Sequence, residues 1–589
     1  MHTLDVWRKH SAGCQDNKNQ ERPPLAKRGQ KPRACDACFR SKLSCDGRPL
    51  CGRCESRQLQ CSYDRAYTNR EDCLSTSRSP STASAPDSTD ADAKPPTSFL
   101  LGLTNPQAKS MVEVFFDEPG RDDDVPSVLL QPDPDPDFST GFTQDTLASG
   151  GFFPFGFGQI PHDTLLDDRI GDPNHAAETE LNDTPIDPFF APILTSLSSL
   201  HDQLLTTDPS YTTPFDPALA KQIFLPPSNR EFFISAYFRY THRDLPIVHR
   251  PTFDVATTAP ALLLAMFLAG SFFSPPRDCV FAIPRFFHIA EEFIFRELDA
   301  QLAVAARIPA SPAAATAKTK ELHEALQAGL IMHGIQYLTN HDAAARRRSR
   351  MLRLPVLVGA VRTLGLTDAR QTQVGEKMPD WRRFVRDEMA IRIACWTLLS
   401  DCHQSGTFHV PPLMTASEMT GDMACLEELW EANDAVEFEA VIATRGRDCW
   451  RRASSLRECV GALMSEDWPG IDHFPIRHVS MLDLQVLILA IMSPIGTARL
   501  MSLLPASAPV ILRAIDRWEE LWQVAAGQMD SDRLRMSGFV RHSGEMCWLA
   551  RKLIEFCLSG RDRISPYFQR IGHDSPDELH GLLRELGGV

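Results

Sequence analysis

The sequence predicts a small cysteine-rich module, a polar acidic linker and a large all-α body, in that order along the chain. Three observations support this division. Six cysteines fall between residues 35 and 61. A long stretch rich in Ser, Thr, Asp and Pro follows them, which is the composition of a solvated segment. From about residue 210 to the end, apolar residues recur at helical spacing, while strand alternation and hairpin turn pairs are nearly absent.

These observations place four segments along the 589 residues. We expect a disordered basic and polar N-terminus over 1–30, the cysteine module over 31–65, a disordered linker over 66–209 and the all-α body over 210–589. The body is larger than one usual hydrophobic core, so it is compatible with two lobes.

The cysteine module has the spacing C-x2-C-x6-C-x5-C-x2-C-x6-C. A C-x2-C pair can hold one tetrahedral zinc ion from a single turn. Two four-coordinate ions need eight ligand places, so six thiolates suffice if two of them bridge the ions. The alternative, a set of structural or disulfide-linked cysteines, fits the symmetric spacing and the basic surroundings less well. The predicted zinc ligands are Cys35, Cys38, Cys45, Cys51, Cys54 and Cys61.

Charge is distributed unevenly along the chain. Residues 27–57 contain nine basic and three acidic residues, a balance of +6. The whole chain carries −15, so the remainder sums to −15 − 6 = −21. A small basic module on an acidic body is typical of a nucleic-acid binder that localises its contact. The basic run at 26–33 is also compatible with a nuclear import signal, or with phosphate contacts alone.

Cysteine usage and hydropathy bear on the compartment. Eight of the 16 cysteines lie before residue 74, and the others are scattered singly among apolar positions, which is typical of thiols in a reducing compartment. The N-terminus lacks an apolar signal core. The apolar run 262–273 is too short to span a bilayer, so we expect no membrane partner.

Within the linker, residues 111–170 interleave acidic and aromatic side chains. Ten acidic residues and one basic residue lie between Glu113 and Asp145, and a Phe/Gly patch follows. This is the composition of a disordered activation segment that contacts the transcription machinery or coactivators. A plain acidic linker fits the composition about equally well.

The body contains a series of predicted helices. Ser228 and Glu231 have the spacing of a capping box before a helical apolar pattern. Further helices are expected near 259–273, 284–303, 318–339, 341–364, 381–402, 433–463, 479–493, 508–528 and 535–560.

The cysteine module resembles the fungal zinc binuclear cluster family of transcription factors. The resemblance implies two short helices around two zinc ions, with Cys35 and Cys51 bridging both ions. Lys42 matches the family's base-contacting lysine, which implies binding to double-stranded DNA with CGG-like triplets. The family usually has basic residues where this chain has Phe39, Ser41 and Ser44. The expected DNA contacts are Lys42, Arg40, Lys31, Arg33, Arg53 and Arg57.

The body carries a second resemblance. Residues 237–253 are similar to the opening of the fungal transcription-factor regulatory domain, H-x-x-F-P-x-x-H-x-P-T-F. Later blocks, including Asp380-Trp-Arg-Arg and Glu427-Glu-Leu-Trp, follow the same domain. Together the resemblances imply a nuclear RNA polymerase II regulator, an activator of a secondary-metabolite gene cluster, or alternatively a regulator of carbon or nitrogen use. A homodimer, if one forms, is expected through the helical body.

Two other function classes compete with this interpretation. A scaffold protein could use its zinc module to bind protein, although the basic residues around the cysteines favour DNA. An enzyme would need an acid/base or nucleophilic site, and no G-x-S-x-G, Walker or H-E-x-x-H motif is present. The remaining candidates are His242 with His249, and Cys402 beside His403, and each is more compatible with packing. The basic run 346–350 is compatible with a second nucleic-acid patch or a solvated helix face.

Overall fold

The body consists of helices that wrap around a central hydrophobic core. The computed structural model describes residues 98–106, 186–209, 211, 213, 215–272, 283–306, 312–338, 342–371, 380–446, 449–450, 454–529 and 538–587. All of them belong to one compact unit, Asp92–Val589. The predicted N-terminus, cysteine module and acidic segment 111–170 lie outside the described residues. Within the described residues every regular element is a helix, which confirms the all-α prediction for the body.

The α-helices in chain order are α1 (Ser98–Leu103), α2 (Phe190–Thr207), α3 (Pro217–Phe224), α4 (Pro227–Ala236), α5 (Pro260–Ser271), α6 (Phe287–Ala305), α7 (Pro312–Leu338), α8 (Ala343–Arg348), α9 (Leu354–Thr363), α10 (Trp381–Phe408), α11 (Glu427–Trp430), α12 (Ala435–Arg445), α13 (Leu456–Met464), α14 (Met481–Leu500), α15 (Leu504–Gly527), α16 (Ser543–Leu558), α17 (Pro566–Gln569) and α18 (Asp577–Gly587). Two π-turns, Tyr237–Thr241 and Ser349–Arg353, follow α4 and α8 directly.

The centre of the first half is α5, which is apolar on all sides and buried along its length from Ala261 to Ser271. It packs against α4, α6 and α7. The approach of α4 is so close that a Cβ on Gly270 would lie 1.8 Å from the carbonyl oxygen of Phe233. Only glycine fits there, so Gly270 sets the distance between these two helices.

The second half is built around α14, which packs against α10, α13, α15 and α16. By length and composition α14 could span a membrane, whereas no segment of that kind was expected from the sequence. Its side chains Leu484, Leu487, Ile488 and Ile491 are buried inside the body. We interpret it as a core helix, because a helix enclosed by neighbouring helices is apolar for the same reason as one enclosed by lipid.

Almost all buried apolar side chains form one contiguous core that extends across both halves. A smaller cluster around Phe384, Trp430 and Phe438 joins the start of α10 to α11 and α12. The body therefore has one main core with a satellite cluster, rather than two lobes.

Local structure differs from the sequence prediction at three places. Helix α4 begins at Pro227 and has no side-chain cap, so the predicted capping box of Ser228 is wrong. The predicted helix 341–364 is divided by the π-turn, because Pro355 lacks the N–H that would continue the helical ladder. The predicted helix 433–463 ends early, where Gly446 takes a φ of 98°.

The ordered body also starts earlier along the chain than the predicted boundary at 210. Helix α2 buries Phe190, Ile193 and Leu197 in the main core. Helix α1 adds Phe99 and Leu100 to the same core. Both helices lie within 66–209, which the sequence assigned to a disordered linker.

Candidate functional site

The predicted zinc ligands and the predicted DNA-contacting residues lie in one short segment. The cysteines at 35–61 and the basic residues at 31–57 all lie outside the described residues. Their chemistry can still be tested against zinc. Six thiols, arranged as two C-x2-C pairs with one further cysteine each, form a soft sulfur donor set that suits Zn²⁺ and supplies the six ligands a two-ion cluster needs.

Within the body, the segment 241–253 is held to the core by side chains from two helices. Gln327 on α7 donates to the carbonyl of Ile247 at 2.5 Å. Trp396 on α10 donates its indole N–H to the carbonyl of Asp244 at 2.9 Å. These contacts satisfy carbonyl groups that belong to no regular element, so α7 and α10 fix the conformation of the segment.

A buried ion pair lies beside this segment. Arg392 Nε donates to Glu388 Oε1 at 2.8 Å, and the two side chains are 2% and 0% exposed. The same carboxylate accepts the Cys425 backbone N–H at 2.8 Å and the Gln371 amide at 3.0 Å. The guanidinium carbon lies 4.3 Å from the centre of the Trp430 ring. The pair therefore connects α10 to Trp430 on α11, to the chain before α10 through Gln371, and to the loop before α11 through Cys425.

The two histidines of the segment do not form a metal or acid/base centre. His242 Nε2 lies 3.3 Å from Glu431 Oε1, and His249 Nδ1 lies 2.8 Å from the Thr252 hydroxyl. Burial lowers the pKa of His249 to about 4, so this ring is neutral at physiological pH. Among the described residues no group of three or more His, Cys, Asp or Glu side chains could hold a metal ion. The packing interpretation fits both side chains.

Cys402 and His403 do not form a nucleophilic pair. Burial raises the pKa of the Cys402 thiol to about 12, so the thiol stays protonated. Burial also lowers the pKa of His403 to about 4. A protonated thiol is a poor nucleophile, which excludes the candidate on chemical grounds.

The basic run 346–350 differs from both predicted interpretations. Arg348 donates to both carboxylate oxygens of Glu291, at 2.9 and 2.8 Å. Arg353 adds a bond of 2.7 Å to the same carboxylate, whose side chain is only 1% exposed. These arginines neutralise a buried acid and connect the π-turn to α6.

Two further arginines of the run, Arg346 and Arg350, bind the chain near the C-terminal end of the body, whereas Arg347 is exposed. Arg350 Nη1 donates to the carbonyl of His573 at 2.7 Å, and Arg346 Nη2 donates to the carbonyl of Asp574 at 3.2 Å. Arg346 and Arg350 are only 3% and 8% exposed. Apart from the exposed Arg347, the run thus contributes to internal packing instead of offering a nucleic-acid surface or a fully solvated face.

The contact between α1 and α16 was not predicted from the sequence. Glu545 on α16 accepts the backbone N–H groups of Phe99 and Leu100, at 3.2 and 3.0 Å. The Phe99 ring stacks on His542 with a centroid separation of 3.8 Å. The only sequence signal is the short apolar run Phe99-Leu-Leu in polar surroundings, and six residues are too few for a periodicity argument.

Two family models match the chain. Residues 33–70 match the fungal Zn(2)-Cys(6) binuclear cluster domain, and residues 234–495 match the fungal specific transcription factor domain. The transcription factor verF of Penicillium polonicum is 24% identical over 597 residues, which cover 88% of this chain and 79% of the relative. No solved structure matches the chain.

These matches confirm the predicted resemblance to both families. The first match spans every predicted zinc ligand and is a binuclear cluster, which confirms two zinc ions as the cofactor. Both matched families are transcription-factor domains and neither is an enzyme.

Proposed function

We propose that this chain, which belongs to the fungal Zn(2)-Cys(6) binuclear cluster transcription factors, is a sequence-specific regulator of RNA polymerase II transcription in the nucleus. The observation that carries the proposal is the C-x2-C-x6-C-x5-C-x2-C-x6-C spacing inside a basic stretch with balance +6. Metal-bound thiolates create the fold of so short a segment, and the basic side chains around them supply the attraction to phosphates.

The zinc ligands follow from the family pattern. Cys35 and Cys51 are proposed to bridge both ions, Cys38 and Cys45 to complete the first, and Cys54 and Cys61 the second. Zinc supplies no reaction here. It neutralises most of the thiolate charge and fixes the chain around it, because a segment of this length cannot bury a sufficient apolar core.

DNA recognition is divided between two kinds of contact. Lys42 is proposed to donate to guanine O6 and N7 in the major groove of CGG-like triplets. The surrounding basic residues are proposed to contact the phosphate backbone and to set the salt dependence of binding. These backbone contacts are Lys31, Arg33, Arg40, Arg53 and Arg57.

The rest of the chain is proposed to regulate the output. The acidic and aromatic segment 111–170 contacts the transcription machinery or coactivators, and the helical body 210–589, extended by α1 and α2, restrains or tunes that contact. The sequence after Cys61 has no coiled-coil repeat, so any homodimer forms through the helical body.

The proposed biological role is activation of a secondary-metabolite gene cluster. The support is the layout alone: a cluster module, an acidic segment and a regulatory body occur together in regulators of this kind. The test is chromatin immunoprecipitation of the full chain, with the Lys42→Ala variant as the matched control. Enrichment that depends on Lys42 at promoters of one co-localised set of biosynthetic genes supports the proposal. Enrichment at dispersed genes of carbon or nitrogen use would assign the alternative role.

A further inference from the structure

A partly open cavity of about 160 Å³ lies between α1, the segment after α4, α7 and α10. Most of its lining is apolar, and it includes Leu245, Ile335, Leu399 and Leu489. A cavity of about 150 Å³ in another protein's core admits a benzene ring. The space in this body is therefore large enough for a ligand of one or two small rings.

A minority of the lining side chains are polar, and two of them, Thr241 and Asp244, lie close together along the chain. Thr241 lines the cavity from the π-turn, and its buried hydroxyl has no hydrogen-bond partner within the described part of the chain. Asp244 also lines the cavity, and its carboxylate accepts the Phe539 backbone N–H at 2.6 Å. A buried hydroxyl without a partner is uncommon in folded proteins, and π-turns are often found at functional sites.

Helix α1 forms another part of the cavity wall. Its side chains Phe99 and Leu103 line the cavity, while Glu545 holds its first N–H groups. Only 36 residues, 62–97, separate α1 from the last cysteine of the zinc module. A molecule in the cavity would thus contact the first described element that follows the DNA-binding module along the chain.

We propose that this cavity binds a small, mainly apolar, neutral molecule with a phenol-like hydroxyl, and that α1 closes over it. The hydroxyl would donate to the Asp244 carboxylate and accept from the Thr241 hydroxyl, which would then gain a partner. The rings would fill the apolar remainder and contact Phe99 and Leu103. This inference goes beyond the proposed function, because it concerns the body alone and requires no DNA binding.

The test uses the full chain and two probes, 2-naphthol and 2-methylnaphthalene, in isothermal titration calorimetry. The second probe has the same rings, but a methyl group replaces the hydroxyl, so it has neither a hydrogen-bond donor nor an acceptor. We expect 2-naphthol to bind about tenfold more tightly, because one buried hydrogen bond of about 1.4 kcal/mol corresponds to that factor. Thr241→Val should weaken 2-naphthol binding by about fivefold and leave 2-methylnaphthalene binding unchanged.

A second variant blocks the cavity itself. Gly334 lines the cavity from α7, and a Cβ added there would meet no atom within 4 Å. Gly334→Leu should fill the space and abolish binding, while the higher helix propensity of leucine preserves α7. Gly359→Leu is the matched control, because Gly359 is also helical and open but lies exposed on α9. It should bind both probes like the wild type, and circular dichroism checks that each variant is folded.

Three outcomes would overturn the ligand site. These are no binding of either probe to the wild type, unchanged binding by folded Gly334→Leu, or equal loss of both probes in Thr241→Val. If Gly334→Leu does not fold, the Thr241→Val comparison decides. The role of α1 is tested by hydrogen exchange over 98–104, which 2-naphthol should slow at the Phe99 and Leu100 amides. Unchanged exchange in the presence of bound probe would refute closure by α1.

Discussion

Replacing Arg392 by methionine should destabilise the helical body strongly, because it leaves a carboxylate buried without a counter-charge. Glu388 has no exposed surface, and Arg392 Nε, at 2.8 Å from Glu388 Oε1, supplies its counter-charge. Methionine preserves much of the packing against Trp430 but carries no charge. The expected loss is therefore electrostatic in origin.

The size of the effect follows from the burial of the pair. Breaking a fully buried ion pair costs about 3–5 kcal/mol. At about 2.1 cal/mol/K per residue, roughly 400 residues between 186 and 587 have an unfolding entropy of about 0.85 kcal/mol/K. Dividing the loss by this entropy gives a fall in the thermal midpoint of about 4–6 °C.

Thermal unfolding followed by far-ultraviolet circular dichroism measures this shift. The double variant Glu388→Gln/Arg392→Met removes both charges and should be more stable than Arg392→Met alone. Arg362→Met is the surface control, since Arg362 and its partner Glu418 are 47% and 24% exposed, and its loss should be at most about 1 kcal/mol. A thermal midpoint of Arg392→Met within 1 °C of the wild type, which is about a quarter of the expected shift, would refute the reasoning. A double variant less stable than Arg392→Met would refute it as well.

The remaining predictions concern metal content, pH and assembly. Native mass spectrometry of residues 27–70 should find two zinc ions, and a single ion in the wild type would contradict the shared cluster. Cys35→Ser should lose more metal than Cys61→Ser, because a bridging thiolate binds both ions. The body should lose stability as the pH falls from about 6.5 to about 4, because burial lowers the pKa of His249, His323, His333 and His403 to about 4 and the unfolded chain takes up these protons first. Each histidine contributes up to about 1.4 kcal/mol per pH unit to this loss, and Asp244 opposes it because burial raises its pKa to about 6. In His333→Gln, the free energy of unfolding measured with urea should therefore depend less steeply on pH, and an unchanged slope would contradict the assignment. Residues 27–110 should sediment as a monomer at micromolar concentration, and a stable dimer would show that a dimerisation element lies before the body.

The helical class of the body was predictable because amphipathic segments such as α10 repeat with the helical period, and because the 12-residue apolar segment of α5 is longer than a typical strand. Boundaries were less predictable where a local feature overrides the period. The loss of a donor at Pro355 introduces a π-turn, and the left-handed Gly446 ends α12.

Contacts between distant parts of the chain could not be predicted from periodicity. The run 346–350 has the composition of a solvated basic face, yet its arginines neutralise Glu291 and hold the chain near His573. Helix α1 is ordered through Glu545, which lies 446 residues from Phe99. Such contacts depend on the tertiary arrangement and not on the local sequence. The cysteine spacing is the opposite case, since coordination chemistry makes the spacing itself informative.

The central claim, that this chain reads DNA sequence through its zinc module, is tested most directly by fluorescence anisotropy. The full chain is titrated with a duplex containing CGG triplets and with a shuffled duplex, at several stated salt concentrations. The account predicts preference for the triplet duplex, a loss of about 1–3 kcal/mol and of preference in Lys42→Ala, and uniform weakening with a flatter salt dependence in Arg33→Ala. Equal affinity of the wild type for both duplexes, or an undiminished preference in Lys42→Ala, would contradict it.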